Sequence, residues 1–204
     1  MKNLITFLFI FLSLISVSQT SEELLMVEEI NELRANPKSF IAFIEKYIEL
    51  QNKMSDEIKN GSMTMKSSDG KKDLEVINRN IKAAKEILTI LDTLSPLNKV
   101  VFNVDMYFVT KSHGLYLENI NKFTHDGENN TSLGDRFNNV NVDNLTENLI
   151  KVGFRRNTFK PLIVQLLIDA GVENRGHRNN LLNPESRFIS VYVGKKICVQ
   201  NFAN

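Results

Sequence analysis

The sequence predicts an α+β protein in which helices cover a mainly antiparallel sheet. Residues 21–120 carry apolar side chains largely at helical spacing, whereas residues 188–203 form two short strand-like runs around a Gly-Lys-Lys turn. Between these regions, KPLIVQLLIDAG (160–171) is apolar nearly all round, which is typical of a buried helix. Because the helices come first and the hairpin last, we expect one sheet packed against helices.

The first 20 residues are predicted to be a signal peptide. Lys2 gives a positive start, an apolar run extends from Leu4 to Val17, and small residues follow at the spacing that a signal peptidase accepts. The run is shorter than the roughly 20 residues of a membrane span, although an uncleaved N-terminal anchor is the alternative. No later segment is apolar enough to cross a bilayer. We therefore expect a secreted, extracellular protein whose residues 21–204 form a single domain.

The mature part is expected to open with two helices. Thr20 and Glu23 fit a capping box at the start of the first helix. Proline restricts the residue before it, so Asn36-Pro37 separates this helix from the next. The predicted inward face of the first helix comprises Leu24, Val27, Ile30 and Leu33.

The middle of the chain alternates between polar segments and amphipathic ones. Residues 51–73 are polar and are predicted to be a loop excursion. Helical spacing resumes over residues 74–94 and again over 104–120, where Gly114 is expected to break or loosen the helix. Residues 121–144 are rich in Asn, Asp and Gly and indicate a loop, and residues 145–154 have strand character.

Charge and cysteine content exclude some classes of function. Lys2 is the only charged residue in the predicted leader, so the remainder carries 24 basic and 24 acidic residues and has no electrostatic footprint for nucleic acid. Cys198 is the only cysteine, which excludes an intramolecular disulfide. Its strand-like surroundings favour burial over a free thiol that links two chains. Four asparagines begin glycosylation sequons: Asn60, Asn129, Asn130 and Asn144.

Four residues could form a functional site. His125 and His177 stand in segments predicted to be loops, and Glu147 begins a predicted strand. Two imidazoles and a carboxylate could make a three-ligand zinc site with an open position for water. Asp169, which ends the buried helix, could complete that site or orient a histidine. A purely structural role for His177, bonded to backbone or to Glu147, is the alternative. His113, on a predicted helix, is expected to be a packing or capping residue.

Several segments occur in an order that resembles the CAP superfamily of cysteine-rich secretory, antigen 5 and pathogenesis-related proteins, also called SCP-domain proteins. They are EEINELRANPKSF, SPLNKVVFNVDM, KSHGLYLENINKFTHDG, TENL, LLIDAGVENRGHRNNLLNP and VQNFA. The resemblance is to the disulfide-poor bacterial and protist branch. It implies a three-layer α-β-α sandwich with a central, mainly antiparallel sheet and a cleft lined by His125, Glu147, Asp169 and His177. It also implies a divalent cation such as zinc on His125, Glu147 and His177.

Three functions are compatible with these residues. The first is a non-enzymatic domain whose cleft binds a lipid, glycan or protein ligand, which the lack of an activated nucleophile favours. The second is a zinc-dependent secreted hydrolase that uses the same cluster, although the His-Glu-x-x-His spacing of many zinc proteases does not occur. The third is a structural extracellular component that dimerises through Cys198.

Overall fold

A four-stranded sheet lies at the centre of the fold. The computed structural model describes residues 19–62, 70–153 and 157–204. The strands are β1 (Val101–Phe102), β2 (Thr146–Lys151), β3 (Phe188–Val193) and β4 (Ile197–Ala203), and they lie in the order β1-β3-β4-β2. Only β1 and β3 pair in parallel, so the prediction of a mainly antiparallel sheet is confirmed. Of the predicted leader, only Gln19 and Thr20 fall within the described residues.

Helices cover both faces of this sheet. They are α1 (Ser21–Ala35), α2 (Ile41–Lys59), α3 (Lys71–Thr93), α4 (Val104–Ile120), α5 (Leu133–Arg136), α6 (Lys160–Ile168) and α7 (Gly176–Leu182). Successive residues of a strand point to opposite faces. On β4, Val199 packs with Leu117 of α4, whereas Cys198 and Phe202 pack with α1, α3 and α6 on the other side. The predicted three-layer α-β-α sandwich is therefore confirmed, and Cys198 is buried as expected.

Helix α1 begins at the predicted capping box. The Thr20 hydroxyl accepts from the Glu23 amide and the Glu23 carboxylate accepts from the Thr20 amide. The inward face differs from the predicted one, since Leu24 is exposed while Glu23, Glu29 and Arg34 are buried. These three polar side chains are tolerated inside because each bonds to a distant segment, which an apolar pattern does not reveal.

The predicted loop over residues 51–73 is wrong for its first part. Helix α2 continues through this region to Lys59, and α3 begins at Lys71. Buried residues at helical spacing, Gln51, Ser55 and Ile58, pack toward α3, and the Asn80 amide donates to Gln51. The polar composition of this segment does not indicate a helix, because the helix is stabilised by packing against α3 rather than by its own sequence pattern.

Gly114 does not break α4, which is continuous over its 17 residues. A Cβ atom there would lie 2.0 Å from Cδ1 of the Tyr192 ring, so glycine lets α4 approach the sheet closely. The prediction of a loosened helix is therefore wrong, and the residue serves packing. No helix among the described residues combines the length and apolarity needed to cross a membrane.

Candidate functional site

Glu147 is the centre of a buried polar cluster on the α4 side of the sheet. It is the second residue of β2, and its side chain is 2% exposed. Oε1 lies 2.9 Å from Nδ1 of His125, while Oε2 accepts from Arg136 Nη2 at 2.8 Å and from Asn201 Nδ2 at 3.1 Å. Both oxygens of the buried carboxylate thus have hydrogen-bond partners, which it requires because burying an unpaired charge costs much free energy.

Arg136 joins the loop that carries His125 to the body of the protein. Its Nη1 donates to the His125 carbonyl at 2.7 Å, and its Nη2 binds Glu147. Burial by itself would raise the pKa of Glu147, but the hydrogen bond from His125 and the charge of Arg136 lower it below the usual 4.5. Glu147 is thus ionised at neutral pH, and His125 donates through Nδ1. Asp126, the chain neighbour of His125, bonds to Thr124 rather than to the imidazole.

His113 completes this cluster from α4. It is 3% exposed, and its Nε2 lies 3.8 Å from Oε1 of Glu147. Neither ring nitrogen has a hydrogen-bond partner within the described ranges. Burial, together with the charges of Arg136 and His125, lowers its pKa from 6.5 to about 4, despite the opposing effect of Glu147. The ring is therefore neutral at pH 7.

We expect His113 to make the protein acid-sensitive. The unfolded chain takes up a proton near pH 6.5, whereas folded His113 does so only near pH 4, so stability falls across this window as pH decreases. The loss should reach about 3 kcal/mol at pH 4, since each pKa unit corresponds to about 1.4 kcal/mol. Urea unfolding at pH 7 and pH 4 measures it. His113→Phe should remove most of the difference, and an unchanged difference in that variant would contradict the assignment.

His177 and Asp169 form a second pair at the junction of α6 and α7. Asp169 ends α6 with a left-handed backbone (φ 50°), and its carboxylate accepts from His177 Nδ1 at 2.8 Å and from the His177 amide at 3.0 Å. His177 is the second residue of α7, so its prediction as a loop residue is wrong. The Asp169 carboxylate thereby accepts from a free backbone amide at the start of α7 and also fixes the orientation of the imidazole.

Two arginines, Arg175 and Arg178, stabilise the junction between α6 and α7. Arg175 forms an ion pair with Glu86 of α3 through Nε and Nη2. Arg178 lies 3.7 Å from the same carboxylate but chiefly donates to backbone carbonyls, those of Ala83, Leu167 and Ile168. The carbonyls at the end of α6 thus find partners in a side chain rather than in solvent.

Asn180 connects the two pairs. Its amide donates to Oδ1 of Asn148 at 2.7 Å and to the Glu147 carbonyl at 3.4 Å, three residues after His177 on α7. The structure thus brings His125 to Glu147 and His177 to Asp169, as two pairs joined at the start of β2. No group of three or more His, Cys, Asp and Glu side chains gathers to hold a metal ion among the residues described.

The sequence did not single out Asn201 and Asn180 as site residues. Asn201 lies in the apolar run of β4 and is fully buried, where Thr110 Oγ1 donates to its Oδ1. A polar pair, Gln200-Asn201, inside an otherwise apolar strand was the available signal, because buried amides require specific partners. Asn180 carried no such signal, since it follows Asn179 on a short polar helix.

A solved extracellular protein that contains an SCP domain is among the structures that match this chain. An extracellular SCP-domain protein of Bacillus anthracis is 21% identical, with a TM-score of 0.45, over 70% of this chain and 45% of its own. An outer surface protein of Borrelia burgdorferi is 18% identical, with a TM-score of 0.45, over 69% and 98%. A cysteine-rich secretory protein of Staphylococcus aureus is 18% identical, with a TM-score of 0.41, over 62% and 38%.

This chain therefore spans less than half the length of the Bacillus anthracis and Staphylococcus aureus proteins. No protein-family model and no curated protein sequence matches it. The function of the site is therefore inferred from its own side chains.

Proposed function

We propose that this chain is a secreted SCP-domain protein that recognises a ligand through the surface presenting His125 and His177, without hydrolysing it. The motifs quoted above, in their order, and the three-layer fold support the family assignment. The observation that carries the recognition site is that both imidazoles are anchored through Nδ1 by a buried carboxylate. Each Nε2 then has no hydrogen-bond partner among the described residues and remains available for an incoming group.

The side chains favour binding over catalysis. Glu147 is fully engaged by His125, Arg136 and Asn201, so it has no position left from which to take a proton. Cys198 is buried, and burial strongly raises the pKa of its thiol, which removes it as a nucleophile. The described site thus supplies two oriented imidazoles and no activated nucleophile.

A zinc-dependent hydrolase is the second candidate, and one observation favours it. Histidines that bind zinc usually donate their other ring nitrogen to a carboxylate, which is the arrangement of His125 with Glu147 and of His177 with Asp169. The Nε2 atoms would then hold the ion, and Glu147 would orient a ligand rather than serve as one, unlike in the predicted three-ligand set. Bound zinc would supply an activated water.

A zinc titration combined with a hydrolysis screen tests both candidates. Calorimetry with zinc chloride would be run on the wild type, His125→Ala and His177→Ala, and the same proteins would be incubated with peptide and ester libraries. We expect no turnover above the background of the two variants, with or without zinc. Turnover that disappears in either variant would overturn the recognition proposal in favour of the hydrolase.

Secretion makes a separate prediction about the N-terminus. Cleavage after Ser18 would keep Thr20, which caps α1, whereas cleavage after Thr20 would remove the cap at a cost of about 1 kcal/mol. We therefore expect protein recovered from the medium of the expressing cells to begin at Gln19, two residues before the boundary predicted from the sequence, as mass spectrometry of the intact chain would show. A chain that begins at Ser21, or one retained in the cells with residues 1–18, would contradict this.

A further inference from the structure

A groove of about 360 Å³ lies along the outer side of α4, and we call it the α4 groove. One wall is formed by residues of a single helical face, Phe108, Ser112 and Tyr116, which are spaced four apart. The opposite side comes from the segment between α4 and β2 and includes Glu128 and Arg136, the last residue of α5. His125, Asp169 and His177 do not line it, although it shares His113 and Arg136 with the buried cluster around Glu147.

The base of the α4 groove carries polar atoms that the protein itself does not satisfy. His113 lines the groove, and both of its ring nitrogens are buried without a hydrogen-bond partner within the described ranges. The same holds for Nε of Arg136, whose two other nitrogens are engaged. Buried polar groups almost always have partners, so unpaired ones that line a cavity indicate a place for an external molecule.

Aromatic surfaces flank these polar atoms. Phe108 is 52% exposed, which is unusual for a phenyl group beside a polar cavity. Tyr116 stacks against His113, with ring centroids 6.4 Å apart and planes 24° apart. The α4 groove therefore combines apolar ring faces with a small number of fixed hydrogen-bonding groups, as small-molecule sites do.

The charges around the α4 groove favour a neutral occupant. The Arg136 cation is paired with Glu147 at 2.8 Å, so its charge is already balanced within the protein. Glu128 is exposed at the rim and would repel an anion, while Arg136 would repel a cation. Arg136 Nε can only donate, and neutral His113 has one donor and one acceptor nitrogen.

We propose that the α4 groove binds one neutral sugar ring of a glycan. Adjacent sugar hydroxyls both donate and accept, which matches the hydroxyls of Ser112 and Tyr116, and a small shift of the side chains that cover them would open the His113 ring and Arg136 Nε to the same sugar. The less polar face of the ring packs on Phe108. Because the site is open and the contact area small, affinity for a single ring is of millimolar order. The inference does not depend on the function proposed for His125 and His177.

Saturation-transfer NMR with defined sugars tests this proposal. The probes are methyl glucoside, methyl mannoside, N-acetylglucosamine and glucuronate, the last of which adds one negative charge to the same ring. We expect signals from at least one neutral sugar and weaker ones from glucuronate. No signal from any neutral sugar, or an equal or stronger signal from glucuronate, would overturn the proposal.

Three variants locate the binding. Phe108→Ala should abolish the sugar signal without unfolding the protein, because its ring is half exposed. His113→Phe should also abolish it while keeping the buried ring. Leu115→Ala is the matched control, since Leu115 is 51% exposed on the same helix but does not line the groove, and it should bind as the wild type does. A signal that survives Phe108→Ala would overturn the assignment even if the protein binds sugars.

Discussion

Arg34→Met is expected to lower the free energy of unfolding by about 3–5 kcal/mol. Arg34 is fully buried and donates Nε to the Asn98 carbonyl at 2.8 Å. Its Nη1 donates to the carbonyls of Leu181 and Asn183, both at 2.9 Å, and its Nη2 to that of Ser186. No acidic side chain pairs with it within the described part of the chain, so the carbonyl dipoles alone stabilise its charge.

The loss has a defined cause. Methionine fills a similar volume but donates nothing, so several buried carbonyls lose their partners, each at about 1–3 kcal/mol if water cannot reach them. Arg34 joins α1 to the segment after α3 and to the segment after α7, and both attachments should loosen together. Arg34→Lys should recover only part of the loss, because an ammonium lacks the planar fork that reaches several acceptors.

Urea unfolding at pH 7 gives the measurement. Arg79→Met on α3 is the matched control, since Arg79 is exposed and the change should stay within about 0.5 kcal/mol. A loss of less than about 1 kcal/mol for Arg34→Met would mean that water replaces the guanidinium, and the structural role assigned to Arg34 would be wrong.

Glu147→Gln is expected to cost about 3–5 kcal/mol as well, because it leaves the Arg136 cation buried without a counter-charge. The Arg136 side chain is 8% exposed and lies 2.8 Å from Oε2 of Glu147. The glutamine also places an amide where two donors, Arg136 and Asn201, now converge on the carboxylate. The His125 loop should lose order with it, since Arg136 binds the His125 carbonyl.

A double-mutant cycle isolates this ion pair. Arg136→Met alone leaves the Glu147 carboxylate buried without a counter-charge. The double variant, Glu147→Gln with Arg136→Met, leaves no unpaired charge. Its loss of stability should therefore be about 1–3 kcal/mol smaller than the sum of the two single losses. Glu128→Gln, an exposed acid in the same loop, is the control and should be close to neutral. Strict additivity of the two single changes would show that the pair contributes no coupling.

The sequence predicts the layers of this fold better than the details of its helices. Two short strand-like runs around a Gly-Lys-Lys turn identify the hairpin in residues 188–203, and the all-apolar segment that ends at Ile168 identifies the buried helix. The second half of α2 was missed because its order comes from contacts with α3, which local composition does not encode. Gly114 was misread because the ring that it accommodates, Tyr192, lies 78 residues away.

The candidate site was predicted by residue type but not by pairing. His125, Glu147, Asp169 and His177 were selected from chemistry and resemblance, and the structure divides them into two histidine–carboxylate pairs. Spacing along the chain cannot give such pairing, since it depends on which face of β2 Glu147 occupies and on where α7 begins. Predicting that face would have required the register between β2 and β4, which places Glu147 opposite Asn201.

Because Cys198 is buried, the rate at which its thiol is modified reports how often the native structure opens. Its sulfur lies near the start of β4, on the face that α1, α3 and α6 cover, so an alkylating reagent can reach it only when this layer opens or the protein unfolds. Since no second cysteine competes for the label, the rate of modification in the absence of denaturant counts excursions from the native state directly. The time course of this single alkylation, followed by mass spectrometry, would therefore rank the variants discussed above by kinetic stability.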